Sequence, residues 1–382
     1  MTAGRRTVWP VTLALLLALG AQGCGSVGGH RTTGHHSKPK AATKTKTQVT
    51  AFQGPLPALD AVQFLTSEQG FLAGQGLVLE TSDGGRSWTQ VYSGAQNIAS
   101  LDVVSALSGY AVTGTGDVLV WSGGVSWQTL AGTPGPAAAI APQGTAPTQF
   151  LTTGGVLFRA DGPQGPWQQE RLQGVQSISF TSPTDGYAVT GQGGATPEVW
   201  RTADGGATWQ PAFTPPLNGG QGWTGSLAAS GSDVWLLLTS DSGQVEHQPY
   251  LAYVSPDQGQ HWQEVLGAPL FAAQGMYPKA AASLYGLQAG PVAAAGQSAY
   301  FVSWAPGSPQ DTLALTATGD GGQSFSQLPL ATTPYAETPY FFQPLGVYAL
   351  EGGTIWLVGG RGGVGKVLVS TDGGHNWEAP AF

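Results

Sequence analysis

Thr81-Ser82-Asp83-Gly84-Gly85-Arg86-Ser87-Trp88 is the stretch on which the fold turns, because its pattern returns four more times along the chain. The spacing Ser/Thr-x-Asp-x-Gly-x-x-aromatic is met again at Thr202–Trp209 (T-A-D-G-G-A-T-W), Ser255–Trp262 (S-P-D-Q-G-Q-H-W), Thr318–Phe325 (T-G-D-G-G-Q-S-F) and Ser370–Trp377 (S-T-D-G-G-H-N-W). Each residue type has a local task. The aspartate accepts hydrogen bonds from the backbone amides of its own turn, and glycine takes the positive φ that the turn needs. The aromatic buries a large apolar face that locks one hairpin against its neighbour. Two degenerate copies, Ser122–Trp127 (S-G-G-V-S-W) and Ala160–Trp167 (A-D-G-P-Q-G-P-W), fill the gap between the first and second full ones.

The closing aromatics stand at Trp88, Trp127, Trp167, Trp209, Trp262, Phe325 and Trp377. The first intervals match the period of ~40–45 residues of one four-stranded propeller blade. The spacing therefore predicts an all-β, seven-bladed β-propeller of four-stranded antiparallel blades over residues 51–382. In the first repeat, the alternation of apolar residues with Gly/Asp-rich turns places strands at 61–65, 71–74, 77–80 and 88–92. The fourth repeat follows the same order at 178–180, 187–189 and 198–201. The last repeat supplies its own outer strand, which leaves open whether Thr47–Phe52 adds a clasp.

Composition agrees. Gly 59 and Pro 27 supply many turns, while 13 Trp, 13 Phe and 11 Tyr give more apolar bulk than a disordered chain carries. Charge is split along the chain: residues 1–50 hold seven of the 14 Lys and Arg and none of the 22 acids. The acidic remainder should repel polyphosphate, which argues against nucleic-acid binding.

Residues 1–23 read as a signal peptide, with Arg5 and Arg6 ahead of the apolar run 11–19, which is too short to span a bilayer. Ala21-Gln22-Gly23-Cys24 resembles a lipobox, and that resemblance implies lipidation of Cys24, the one cysteine of the chain. Cleavage after Gly20, leaving Cys24 as a free thiol, is the alternative. Residues 24–50 then form a flexible basic linker, with His30, His35 and His36 lacking the ordered spacing of a metal site. These readings predict an extracytoplasmic, membrane-anchored lipoprotein, or a secreted one if Cys24 is not lipidated.

The repeated octapeptide resembles the Asp-box, or BNR, repeat of sialidase- and sortilin-type propellers. Together with Gly109-Tyr110-Ala111-Val112 and Gly186-Tyr187-Ala188-Val189, it also resembles the photosystem II assembly and stability factor-like family. That second resemblance implies a non-enzymatic, partner-binding propeller. The family's Arg-rich patch is not matched, since residues 51–382 hold only five arginines, so its ligand is not carried over. No arginine triad of sialidase type is present, and the chain holds one propeller where xyloglucan-type glucanases pair two. Under the Asp-box reading, Asp83 with Trp88, Asp204 with Trp209, Asp257 with Trp262, Asp320 with Phe325, and Asp372 with Trp377 are structural. Equivalent places around a ring cannot converge on one substrate.

The insertions at 211–224, 240–249, 267–288, 305–311 and 331–345 all project from the face opposite these turns, where function on a rigid scaffold usually sits. They carry the candidate ligand-binding aromatics Trp223, Tyr250, Trp304, Tyr335, Tyr340 and Phe341, suited to sugar stacking or protein hot spots. Asp241, Glu246, Asp311 and Glu337 lie on the same loops, but nothing in the spacing pairs them for glycoside hydrolysis. No catalytic residue, metal ligand or cofactor motif emerges. The expected function is non-catalytic recognition of an envelope protein or assembly intermediate, with a surface polysaccharide, bound or hydrolysed, as the alternative.

Overall fold

Strand after strand, one set of side chains faces a neighbouring sheet, and the turns fall where Asp and Gly cluster. The computed structural model describes residues 12–13, 52, 55–122, 126–143, 146–162, 165–217, 222–240, 248–268, 282–284, 288–305, 312–330, 344–361 and 364–380. Thr12–Leu13 (β1) is followed by Leu59–Phe64 (β2), Gly70–Thr81 (β3), Thr89–Ser105 (β4), Ser108–Thr113 (β5), Val118–Ser122 (β6) and Ser126–Thr129 (β7). Strands β2 to β7 form one six-stranded sheet. Next come Ala137–Gln143 (β8), Ala146–Thr152 (β9), Val156–Ala160 (β10) and Gln168–Gln173 (β11), then Val175–Phe180 (β12), Gly186–Thr190 (β13), Val199–Thr202 (β14) and Gln210–Phe213 (β15). Each of these quartets is a four-stranded antiparallel sheet. Trp223–Ser230 (β16), Asp233–Ser240 (β17), Tyr250–Ser255 (β18) and Gln263–Gly267 (β19) follow, with β1 pairing in parallel with Ala228 and Ala229 of β16. The last two sheets are Gln288–Ala295 (β20), Ser298–Ala305 (β21), Thr312–Thr318 (β22) and Ser326–Pro329 (β23), then Pro344–Leu350 (β24), Thr354–Arg361 (β25) and Val364–Ser370 (β26).

The expectation of seven separate blades is corrected: the described strands make six hydrogen-bonded sheets. The first two sequence repeats share the six-stranded one because β4 never stops between them. Its first part pairs with β3, through contacts such as Val78 with Tyr92, and its second part pairs with β5, through contacts such as Leu101 with Ala111. The interval from Trp88 to Trp127 is the shortest in the chain, and the chain crosses between these two repeats as extended strand. Strand β3 is likewise unbroken where two strands were expected; Gly76, at φ 72°, turns it between its β2-paired and β4-paired parts.

Apolar clusters sit at each boundary between consecutive repeats, and the last one closes a ring. Leu59, Val62 and Phe64 of β2 pack with Tyr348, Trp356, Val358 and Val367 of the final sheet. Phe64 and Trp356 stack there at 3.7 Å between centroids and 13° between planes. Cα of Ala61 and the carbonyl of Asp60 also approach Gly346 of β24 closely. A ring of antiparallel sheets closed on itself is a β-propeller.

Polar side chains complete the joints that strand ladders cannot reach. The Gln63 carboxamide donates to the Val103 carbonyl at 3.2 Å and accepts from the Val103 N–H at 2.6 Å. Gln176 does the same on β16, donating to the Trp223 carbonyl at 2.9 Å and accepting from the Gly225 N–H at 2.7 Å. The Ser177 and Ser179 hydroxyls accept from the N–H groups of Leu227 and Ala229.

In the final sheet, Glu378 exchanges two backbone hydrogen bonds with Val369, and the next facing position is Pro380, which has no N–H to continue a fourth strand. The Leu56 carbonyl accepts instead from the Gly365 N–H at 2.8 Å. Of the expected clasp segment only Phe52 lies within the described residues, and its N–H donates to the Trp88 carbonyl at 2.6 Å.

Candidate functional site

One end of the propeller carries five turns of the same construction. In the first, the Thr81 hydroxyl donates to Asp83 Oδ1 at 2.8 Å and accepts from the Gly85 N–H at 2.9 Å. Asp83 Oδ1 then accepts from the Ser87 N–H at 2.9 Å, and Oδ2 from the Ser87 hydroxyl at 2.6 Å. Asp204, Asp257, Asp320 and Asp372 repeat this with Thr202, Ser255, Thr318 and Ser370 as the hydroxyl partners. The indole N–H of Trp88, Trp262 and Trp377 donates to the carbonyl of the glycine three residues earlier. Trp209 instead lies edge-on to Phe180, and Phe325 edge-on to Phe301.

The sequence pattern left one member of each turn unassigned. The residue four positions after the aspartate always donates its side chain to Oδ2: Ser87, Thr208, His261, Ser324 and Asn376. A polar residue at that offset was the available signal. The backbone N–H and ring of His261 hold the Asp257 carboxyl down at about 2. The Ser324 hydroxyl and N–H do so for Asp320, and the Asn376 N–H and carboxamide for Asp372, each again at about 2. These carboxylates are committed to their own turns. The degenerate copies differ: Asp161 has no hydroxyl clamp among the described residues and its side chain is 98% exposed, while Trp121 and Trp127 stack beside the Ser122–Ser126 pair.

The opposite end receives the long connections, whose residues fall largely outside the described ones. Of the candidate ligand aromatics, Trp223 and Tyr250 are 4% and 2% exposed, so they are core side chains rather than a solvent-facing platform. Trp223 packs with Leu227, Leu238 and Tyr253. The Tyr250 hydroxyl accepts from the Leu284 N–H at 2.9 Å, and burial pushes it up to about 12. Their apolar neighbours offered more area than solvent-facing stacking could. Trp304 sits in β21, with its backbone paired to Gln288 and Leu313. Tyr335, Tyr340 and Phe341, the acids Asp241, Glu246, Asp311 and Glu337, and Cys24 lie outside the described residues.

Two features stand out that the repeat pattern did not show. Asp102 on β4 is buried beside Tyr110, Ser100 and Ile140, and burial raises its carboxyl well above the usual range. The second lies where β13 and β14 meet the 255–262 turn. Tyr187 and Arg201 are directly opposed across these strands. Arg201 Nη2 donates to Gln258 Oε1 at 3.2 Å and stands 3.6 Å from Asp185 Oδ1. Tyr187 Oη and Arg201 Nε are buried and have no hydrogen-bond partner among the described residues. Gln258 occupies the left-handed region at φ 60°, where the other four turns place Gly84, Gly205, Gly321 and Gly373. Glutamine at a glycine position in S-P-D-Q-G was the sequence signal.

No family profile matches the chain, and no curated protein matches it. Solved structures do. The chain is similar to YCF48 bound to D1 peptide at 17% identity and TM-score 0.55, over 84% of this chain and 96% of that one. It is similar to the GH74 xyloglucanase from Xanthomonas campestris at 16% identity and TM-score 0.59, over 87% of this chain but 55% of that one, so it spans about half that enzyme's length. It is also similar to U3-55K at 11% identity and TM-score 0.56, over 88% of this chain and 99% of that one. At these identities the likeness defines a class by fold: the chain is a β-propeller.

Proposed function

We propose that this chain is a non-catalytic propeller scaffold that binds a protein partner or assembly intermediate at the cell envelope. The observation that carries the reading is the commitment of Asp83, Asp204, Asp257, Asp320 and Asp372 to their own turns, which builds rigidity and leaves these acids unsuited to proton transfer. The turns are read as Asp-box turns with a structural role. The likeness to YCF48 bound to D1 peptide supports peptide recognition as the use of such a scaffold. The likeness to the GH74 enzyme supports the second reading, a carbohydrate-binding protein or glycoside hydrolase of the cell surface.

In this reading residues 1–23 direct export, Cys24 carries a lipid, and the basic linker to residue 50 holds the propeller near anionic headgroups. Photo-crosslinking of the full chain in its native envelope should trap a discrete protein, while a glycan array should stay blank. A strong saccharide signal with no trapped protein overturns the partner reading. Labelled palmitate should enter the wild-type chain and not Cys24→Ala; equal labelling rejects the anchor.

A further inference from the structure

We propose that the joint between β13–β14 and the 255–262 turn is a binding site for a neutral amide oxygen, held closed in the free protein by the side chain of Gln258. The inference deepens the partner-binding reading and rests on it, since a peptide partner presents such oxygens along its whole length. Three observations converge there. Tyr187 and Arg201 are directly opposed on two paired strands, so their side chains leave the same face of the sheet. Buried Arg201 Nε and Tyr187 Oη meet no partner among the described residues, although an unsatisfied buried donor is costly and rare. The group already held by the guanidinium is a carboxamide, whose Oε1 accepts from Arg201 Nη2.

Gln258 holds that position against its own backbone. The left-handed region is disfavoured for every L-residue with a Cβ, and the four sister turns use glycine there. Strain of this kind persists where it serves a site. The Gln258 N–H donates to the Ser232 carbonyl at 2.9 Å, which fixes the backbone while the exposed side chain remains free to rotate away. Rotation would uncover Arg201 and give an incoming oxygen both the guanidinium and the phenol as donors.

Electrostatics selects the class of ligand. Asp185 stands against the guanidinium, and both Asp185 and Asp257 act on the Tyr187 hydroxyl through their charge. The remaining titratable neighbour on the turn, His261, is bound to Asp257. A carboxylate entering here would meet two negative charges for one positive. A neutral amide, as in a peptide carbonyl or a Gln or Asn side chain, takes the same donors without that repulsion.

The test uses the full chain and N-acetylglutaminamide as the probe, read by calorimetry and by the Arg201 Nε–H resonance. Gln258→Gly removes the lid and restores the residue that the other turns carry, so it should fold and bind the probe at least tenfold more tightly than wild type. Tyr187→Phe in that background should weaken binding severalfold with an unchanged urea midpoint, which a merely structural tyrosine would not do. Acetate should bind more weakly than the amide. Equal affinities for wild type and Gln258→Gly, no shift of the Arg201 resonance in the folded variant, or tighter acetate binding would each overturn the proposal. A trapped envelope partner with no amide binding would reject this site alone, and amide binding without a trapped partner would reject only the wider reading.

Discussion

Replacing Trp356 with alanine should open the propeller where its ends meet. Trp356 is 1% exposed and stacks on Phe64 at 3.7 Å, so one side chain joins the last sheet to the first strand of the ring. An aromatic side chain of this kind buries ~150–250 Å². At about 25 cal/mol per Å² that is roughly 4–6 kcal/mol, reduced to about 3–5 kcal/mol because denatured chains already bury part of it. The same range is typical of large-to-alanine changes in packed cores. Urea unfolding followed by tryptophan fluorescence and far-UV circular dichroism gives the loss directly. A double-mutant cycle with Phe64→Leu should return a coupling of about 0.5–1.5 kcal/mol for the stacked pair. A loss below about 1 kcal/mol for Trp356→Ala would refute the argument, because closure would then rest on something other than this contact.

Other consequences are open to measurement. The carboxyls of Asp257, Asp320 and Asp372 are held at about 2 in the folded chain, against 3.8 for an ordinary aspartate. Their stabilisation is therefore fully present above pH ~4 and is lost as the pH falls through about 2, so acid unfolding should steepen in that window and flatten in the triple Asp→Asn variant. Asp102 has the opposite sign: burial raises its carboxyl, so the native state keeps a proton that the unfolded chain has released, and stability falls as pH rises above 3.8. Asp102→Asn should raise the urea midpoint at pH 7 and remove that slope; a lowered midpoint would mean that an anionic Asp102 is stabilising. Gln63→Ala leaves the Val103 N–H and carbonyl unpaired at the joint between the first two repeats, and should cost about 1–3 kcal/mol by urea unfolding.

The fold was largely legible because its signal is local. The hydroxyl, aspartate and glycine of each octapeptide act within their own turn, so one strand-to-strand connection can be read without knowing what surrounds it. The candidate site was not legible in the same way. Trp223 and Tyr250 look like ligand aromatics beside long insertions, yet both lie in the core, and aromatic identity alone cannot distinguish packing from presentation.

By itself the sequence determined the strand class, the repeat, the positions of the turns and the end from which the long connections leave, all of which follow from hydrogen bonds and hydrophobic alternation over a few residues. Only the tertiary structure decided that β4 runs unbroken and joins two repeats in one sheet, because that depends on how far apart their ladders lie. It also decided that Phe64 of the first strand of the ring meets Trp356 of the last sheet. The convergence of Gln258 on Arg201, 57 residues away, is of the same kind. Contacts between distant segments are set by the packing of neighbouring sheets and by ring closure, and no local pattern encodes the distances these bring to zero.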